Sequence, residues 1–255
     1  MLEQIERVAR RAGEIFLNAG TEKFVSYKSS NKDMVTAYDK RVQEFLYDEL
    51  SRIIPEASFL GEEGLDTPQE TPEGGRFIID PIDGTTNFVR GMNASVVSIC
   101  YEVDNKAKYA VIFNPYTNEL FSAEAGYGSK LNGDPIAVSE KTIDQALVCV
   151  GAAPYDPDLK DITLDYLKEM MDVCIDYRRS GSAAYDMCLV AAGRVDIMYE
   201  CKLRPWDFSA AALIIQEAGG EATDMQGNLL PFDASSSVLV GNKSCYKSAF
   251  DIINK

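Results

Sequence analysis

Apolar residues recur at helical spacing in two stretches near the start of the chain. Leu2, Ile5, Val8, Ala9, Ala12, Ile15, Phe16 and Ala19 keep the three-four rhythm of a helix with one face against a core, and Gly20 is a natural stop. Val35, Tyr38, Val42, Phe45, Leu46, Leu50 and Ile53 repeat the rhythm, and Pro55 ends it. Residues 28–33, between the two, are polar and turn-rich and read as a loop. Residues 61–75, rich in Gly, Pro and acids, read as another.

The period then changes. Residues 76–80, 95–102, 109–113 and 119–123 are β-forming runs with short turns between them. Gly126-Tyr127-Gly128 and Asn132-Gly133 supply turn chemistry, so an antiparallel meander should follow the two helices. From about Ala146 the pattern alternates. Strands are predicted at 147–150, 174–177, 195–199 and 237–240, and helices at 157–171, 182–192, 207–218 and 243–253. Helices and a meander followed by alternating α/β units predict a layered α/β sandwich. With no Pro-, Gly- or Ser-rich linker and no internal repeat, one compact unit with two halves, 1–145 and 146–255, is expected.

Composition narrows the chemistry. At 46% hydrophobic and 25% charged, the chain reads as an ordinary soluble protein. It contains no histidine, which excludes a Ser-His-Asp triad, a phosphohistidine route and a His-ligated zinc site. Carboxylates, hydroxyls, Lys/Arg, backbone groups or a metal must do the work. A net charge of −15 argues against direct contact with nucleic acid or an anionic membrane. The six cysteines form no CxxC pair and lie mostly in apolar runs, as reduced core thiols of a cytoplasmic protein do. Met1 to Glu6 lacks the basic and apolar regions of a secretory signal, and no apolar run reaches the roughly 20 residues of a membrane span.

The most informative segment is Ile78-Ile79-Asp80-Pro81-Ile82-Asp83-Gly84-Thr85-Thr86-Asn87-Phe88. A β-forming run enters Asp80, Pro81 cannot donate a ladder hydrogen bond, and Asp83 opens a turn able to start a helix. Two carboxylates at a strand end suit a hard cation such as Mg²⁺, and Gly84 before a helix start suits an anion. Cation and anion together point to phosphate, with water activated by a metal as nucleophile. Three further acidic pieces are weaker by themselves. Asp39 also fits the first turn of a helix, Glu62-Glu63 also fits a solvated loop, and Asp207 also fits an N-cap.

Taken in order, VTAYDK, FLGEEG, DPIDGTTNF and RPWDFSAAALIIQEAGG resemble the inositol monophosphatase family of Mg²⁺-dependent, lithium-sensitive phosphatases, over about residues 28–218. Gly181 to Ala184 and the stretch through Ala191 fit the same pattern. Thr86-Asn87, where related nucleotide phosphatases carry Lys-Glu, points to the inositol monophosphatase branch. The resemblance implies an α-β-α-β-α sandwich of the sugar-phosphatase type and a cytoplasmic homodimer with two or three Mg²⁺ per site. It implies Glu63, Asp80 and the Ile82 carbonyl as ligands of a first metal, and Asp80, Asp83 and Asp207 of a second. Thr85 backed by Asp39 would orient the attacking water, with Glu63 also in the catalytic set. The N–H groups of Gly84 and Thr85 would cradle phosphate. Lys28, Ala183, Glu200 and Arg204 would meet the substrate.

Glu63, Asp80, Asp83 and Asp207 together carry four negative charges when ionised, which two divalent cations would balance. The implied activity is hydrolysis of inositol monophosphate or a similar polyol or sugar phosphate. Fructose 1,6-bisphosphate, histidinol phosphate and NADP are rival substrates on the same scaffold. A regulatory or binding protein with little catalysis is the rival of another class. A Ca²⁺ module is disfavoured because no DxDxDG-type loop is present.

Overall fold

A computed structural model describes residues 1–19, 25–27, 34–64, 74–152 and 156–255. The chain opens with α1 (Leu2–Leu17), a short hairpin of β1 (Val25–Tyr27) and β2 (Met34–Thr36), and α2 (Ala37–Ile53). Then come β3 (Ser58–Gly61), β4 (Arg76–Asp83), the short α3 (Thr85–Arg90), β5 (Val96–Val103), β6 (Lys106–Asn114), β7 (Glu119–Glu124), β8 (Ser129–Leu131) and β9 (Asp134–Ile136). The second half holds β10 (Leu147–Val150), α4 (Lys160–Met171), β11 (Asp176–Arg178), α5 (Ala183–Ala191) and β12 (Ile197–Leu203). It ends with α6 (Pro205–Glu217), β13 (Glu221–Thr223), β14 (Ser236–Gly241) and α7 (Lys243–Ile253).

Among the described residues, β3 to β9 form a seven-stranded sheet in sequence order, and a five-stranded sheet runs β11-β10-β12-β14-β13. The period of two along each strand sorts the core into layers. On β4, Phe77 and Ile79 pack with Ile5, Phe16, Val42 and Leu46 of α1 and α2, while Ile78 packs on the opposite side with Met187 of α5 and Ile214 of α6. On β12, Met198 faces that same α5–α6 layer, while Ile197 and Tyr199 pack with Met170 of α4 and Ala249 of α7. The order is therefore helices, sheet, helices, sheet, helices: the expected α-β-α-β-α sandwich.

The middle layer explains the composition of α6. Trp206, Phe208, Ala210, Ala211, Ala212, Leu213, Ile214 and Ile215 are all buried, because this helix meets a sheet on either side and has no solvent face. Its consecutive alanines let both sheets approach. Ser98 on β5 donates to the Trp206 carbonyl at 3.2 Å, fixing the start of α6 against the first sheet.

Several sequence expectations are corrected. Met34–Thr36 is a strand, where the helical rhythm was expected to start from Val35, and Thr36 caps α2 through the Tyr38 N–H. Ser58–Gly61, ending in the stretch read as loop, is a strand, and it runs parallel to β4, so the first sheet is not a pure meander. A four-residue strand whose ladder comes from a partner distant in sequence leaves little local signal. β13 was not anticipated either, and α6 starts at Pro205, two residues before the expected Asp207. The expected loop 28–33 lies outside the described residues.

One charged pair sits inside this core. Arg76 and Glu102, paired at 3.0 Å, are 1% and 0% exposed, and Arg76 also donates to the Phe232 carbonyl. Removing one member of such a pair strands the other charge and costs about 3–5 kcal/mol, whereas replacing both with apolar groups costs far less. Glu102→Leu should therefore lower the urea midpoint sharply, and Arg76→Met with Glu102→Leu should recover most of the loss. Equal midpoints for the single and double variants would show that the pair carries no such coupling.

Candidate active site

Residues three apart on a regular strand point to opposite faces, which would separate Asp80 from Asp83. Here Asp80 pairs with Ser98 and Asp83 with Val96, so three residue steps on β4 run against two on β5. The extra residue falls at Pro81 and Ile82, where proline offers no N–H to the ladder, and such a bulge turns both acids to one side. The strand thus does not end at Asp80 as expected but continues through a kink to Asp83. Asp80, Asp83 and Asp207 bring carboxylate oxygens within 4.8 Å of one another, a grouping able to hold a metal ion.

Each of these acids has an oxygen tied to backbone. Asp80 Oδ1 accepts from the Ile82 N–H at 3.0 Å, and Asp207 Oδ2 from the Arg204 N–H at 2.7 Å in a capping arrangement at the start of α6. Asp83 Oδ2 accepts from the Ala184 N–H at 2.8 Å and the Ser182 hydroxyl at 2.6 Å, both at the start of α5. Bonds of this kind fix carboxylates whose remaining oxygens converge, as a cation with oxygen ligands requires.

Burial pushes the Asp80 carboxyl well above the usual carboxylate range, and Glu62, Asp83, Asp207 and Asp39 add to the shift. Asp207 moves the same way through burial and then Asp83, Glu62 and Glu200. Asp83 is raised to about 6 by burial, against the opposing bonds from Ser182 and Ala184. Crowded, desolvated acids of this kind are unfavourable as free anions and favourable as metal ligands.

Glu62, the neighbour of the expected ligand Glu63, adds its charge to both Asp80 and Asp207. The Glu63 backbone is held by Gln43.

Asp39, fully buried, is gripped by the cap of α2. Its Oδ2 accepts from the Thr36 N–H at 2.7 Å and the Thr36 hydroxyl at 2.6 Å, and its Oδ1 accepts from the Thr85 hydroxyl at 3.1 Å. The helix-cap and site readings of Asp39 are thus one arrangement. Thr85 Oγ also lies 3.2 Å from the Ile82 carbonyl. Gly84 adopts φ +87°, and a Cβ there would come within 3.0 Å of the Ala94 carbonyl, so only glycine makes this turn into α3 without strain. Asn87, absent from the sequence-based set, ties the turn down: its amide donates to the Ala94 carbonyl at 2.7 Å and the Ser180 carbonyl at 2.9 Å.

Glu200 lies on β12 immediately before a second irregularity of the ladder, between Glu200 and Leu203, and its charge reaches Asp207. A Cβ on Gly151 would fall 1.8 Å from Glu200 Oε2, so the carboxylate lies directly across that glycine. Ala183 opens α5, between Ser182 and Ala184, which both bond Asp83. The Arg204 side chain is exposed, and Lys28 lies outside the described residues.

A layered α/β scaffold with carboxylates gathered between strand bulges and helix starts defines the class of metal-dependent phosphate-ester enzymes. The chain belongs to the inositol monophosphatase family, whose model matches residues 1–253. It is 34% identical over 252 residues to the Nus factor SuhB of Escherichia coli K12, covering 97% of this chain and 93% of that one. It is 36% identical over 224 residues to an inositol-1-monophosphatase of Rhizobium meliloti, covering 88% and 84%. Among solved structures, an IMPase of Thermotoga maritima superposes with a TM-score of 0.89 at 30% identity, covering 99% of this chain and 96% of that one.

Raised carboxyl pKa values carry a sign for stability. The folded, metal-free protein holds protons that the unfolded chain has already released, so its stability falls as pH rises from about 4 through the folded values, which are about 6 for Asp83 and also raised for Asp80 and Asp207. In chelator, the melting temperature should fall between pH 5 and pH 8, and Asp83→Asn should reduce that fall. A chelated protein whose melting rises over this interval would contradict the assignment.

Proposed function

We propose that this protein is a Mg²⁺-dependent phosphomonoester hydrolase acting on inositol monophosphate or a related small polyol or sugar phosphate. The convergence of Asp80, Asp83 and Asp207 with the Thr85–Asp39 pair carries this reading. Asp80, Asp83, Asp207 and Glu62, with Glu62 taking the part first expected of Glu63, would hold two Mg²⁺ ions together with the Ile82 carbonyl. Bound Mg²⁺ would neutralise charge on the phosphate oxygens and acidify the attacking water.

The chain's own groups do the rest. Asp39, fixed by Thr36, accepts the Thr85 proton and leaves a Thr85 lone pair to orient water and take up its proton. The Gly84 and Thr85 N–H groups, at the start of α3, donate to phosphate oxygens. The Glu200 carboxylate would offer two acceptor oxygens to neighbouring hydroxyls of a polyol, with Ala183, Arg204 and Lys28 as the further contacts that the family resemblance implies. An exposed apolar run, Met171, Val173, Ile175 and Tyr177, leads into edge strand β11 and supports the reading of a homodimer. Absence of a helix long and apolar enough to cross a membrane, among the described residues, is consistent with a cytoplasmic place of action. Similarity to SuhB, named a Nus factor, supports a second reading in which the scaffold serves regulation, with or without turnover.

Phosphate release from a panel of polyol, sugar, nucleotide and histidinol phosphates tests the primary reading. Activity should vanish in chelator, return with Mg²⁺ and be inhibited by Li⁺; full activity in chelator would refute it, and Mg²⁺ binding without turnover on any ester would favour the regulatory reading. Thr85→Ala should bind Mg²⁺ normally yet lose turnover by ~10²–10⁴. Asp39→Asn should match it, with the double variant no worse than either alone. Glu200→Ala should raise KM for polyol phosphates and spare an aryl phosphate; equal loss on both would assign Glu200 to support of the site instead.

A further inference from the structure

Gln43 lies on α2 one helical turn beyond Asp39, so both project from the same face. It is 6% exposed, and no expectation drawn from the sequence included it. Its side-chain amide engages the acidic loop from both directions: Nε2 donates to the Glu63 carbonyl, and Oε1 accepts from the Glu63 N–H at 2.9 Å. The first bond holds the peptide after Glu63, and the second holds the peptide joining Glu62 to Glu63. A primary amide can donate to one and accept from the other at the same time. The contact is close as well as polar. A Cβ on Gly61 would fall 2.6 Å from Gln43 Oε1 and 2.9 Å from the Tyr47 hydroxyl, so a larger residue there would displace both side chains.

We propose that Gln43 is a positioning residue for the cation site: its amide clamps the Glu63 backbone and so fixes where the neighbouring Glu62 carboxylate stands. The inference rests on the reading of Glu62 as a metal ligand. It adds that α2 serves the site twice, aligning Thr85 through Asp39 and the acidic loop through Gln43. Partners that orient a ligand without touching the metal affect metal affinity before they affect chemistry. Loss of the clamp should therefore weaken cation binding while the Thr85–Asp39 pair is retained.

The test is calorimetric titration of Mg²⁺ into metal-free full-length protein, alongside melting in chelator and phosphate release from an aryl phosphate. Gln43→Met keeps the volume and removes both hydrogen bonds. It should weaken Mg²⁺ binding by ~10–100-fold and raise the Mg²⁺ needed for half-maximal turnover by a like factor. KM for the ester at saturating Mg²⁺ should stay within about twofold of wild type. Gln43→Glu retains an acceptor for the Glu63 N–H and should fall between Gln43→Met and wild type. Gly61→Ala, which drives a methyl group into the clamp, should weaken Mg²⁺ binding even if Gln43→Met fails to fold. Unchanged Mg²⁺ affinity in the folded variants, with only a lower melting temperature in chelator, would overturn the proposal and make Gln43 a packing residue. Wild-type protein that binds Mg²⁺ but hydrolyses no ester would overturn the phosphatase reading alone, and the calorimetric comparison would still decide the role of Gln43. Wild-type protein that takes up no Mg²⁺ would overturn both.

Discussion

Like charge gathered out of water is the constraint on which this structure turns. Asp80, Asp83 and Asp207 converge with Glu62 and Asp39 close enough to raise one another's affinity for protons, and burial works in the same direction. No arrangement of apolar side chains would favour such a cluster. Hydrogen bonds from the backbone of Ile82, Ala184 and Arg204 offset part of its cost and orient the carboxylates, and a bound cation would remove most of what is left. Local stability given up in this way for affinity toward a cation is a common exchange at functional sites.

Much of the architecture serves this gathering. The first sheet contributes Asp80 and Asp83 through the bulge at Pro81 and Ile82, α6 contributes Asp207 from its first turn, and α5 anchors Asp83 through Ser182 and Ala184. Helices α5 and α6 form the layer between the sheets, so the carboxylate contributed by α6 and the anchor contributed by α5 stand in a layer buried from both sides. On the opposite side of the first sheet, α2 reaches the site through the side chains of Asp39 and Gln43. The site is therefore a junction of layers, and displacement of any one of them would separate the oxygens.

This chain is similar along most of its length to relatives named for different roles, an inositol-1-monophosphatase and a Nus factor. Family membership fixes the fold and the kind of site without choosing among esters. A feature that would choose, the Glu200 carboxylate lying across Gly151, stands on the second sheet, whereas Asp80 and Asp83 stand on the first. Separation of this kind lets substrate preference change while the metal chemistry is kept.

The amphipathic rhythm of α1 and α2, the β runs around Ile79 and Ile99, the alternating second half and the DPIDG turn were all legible in the chain, because each depends on local periodicity or on the conformational limits of Pro and Gly. Absence of histidine confined the chemistry before any fold was known. Strand β3 was hidden because its ladder comes from β4, beyond an intervening stretch of more than ten residues. The direction of each acid was hidden too. Asp80 and Asp83 share a side only because the ladder slips by one residue between them, and the backbone beside Glu62 is held by Gln43, some twenty positions earlier in the chain. Local sequence sets which residues can ionise, coordinate or turn. Which of them meet is decided by registers and long-range hydrogen bonds that exist only once the layers have packed.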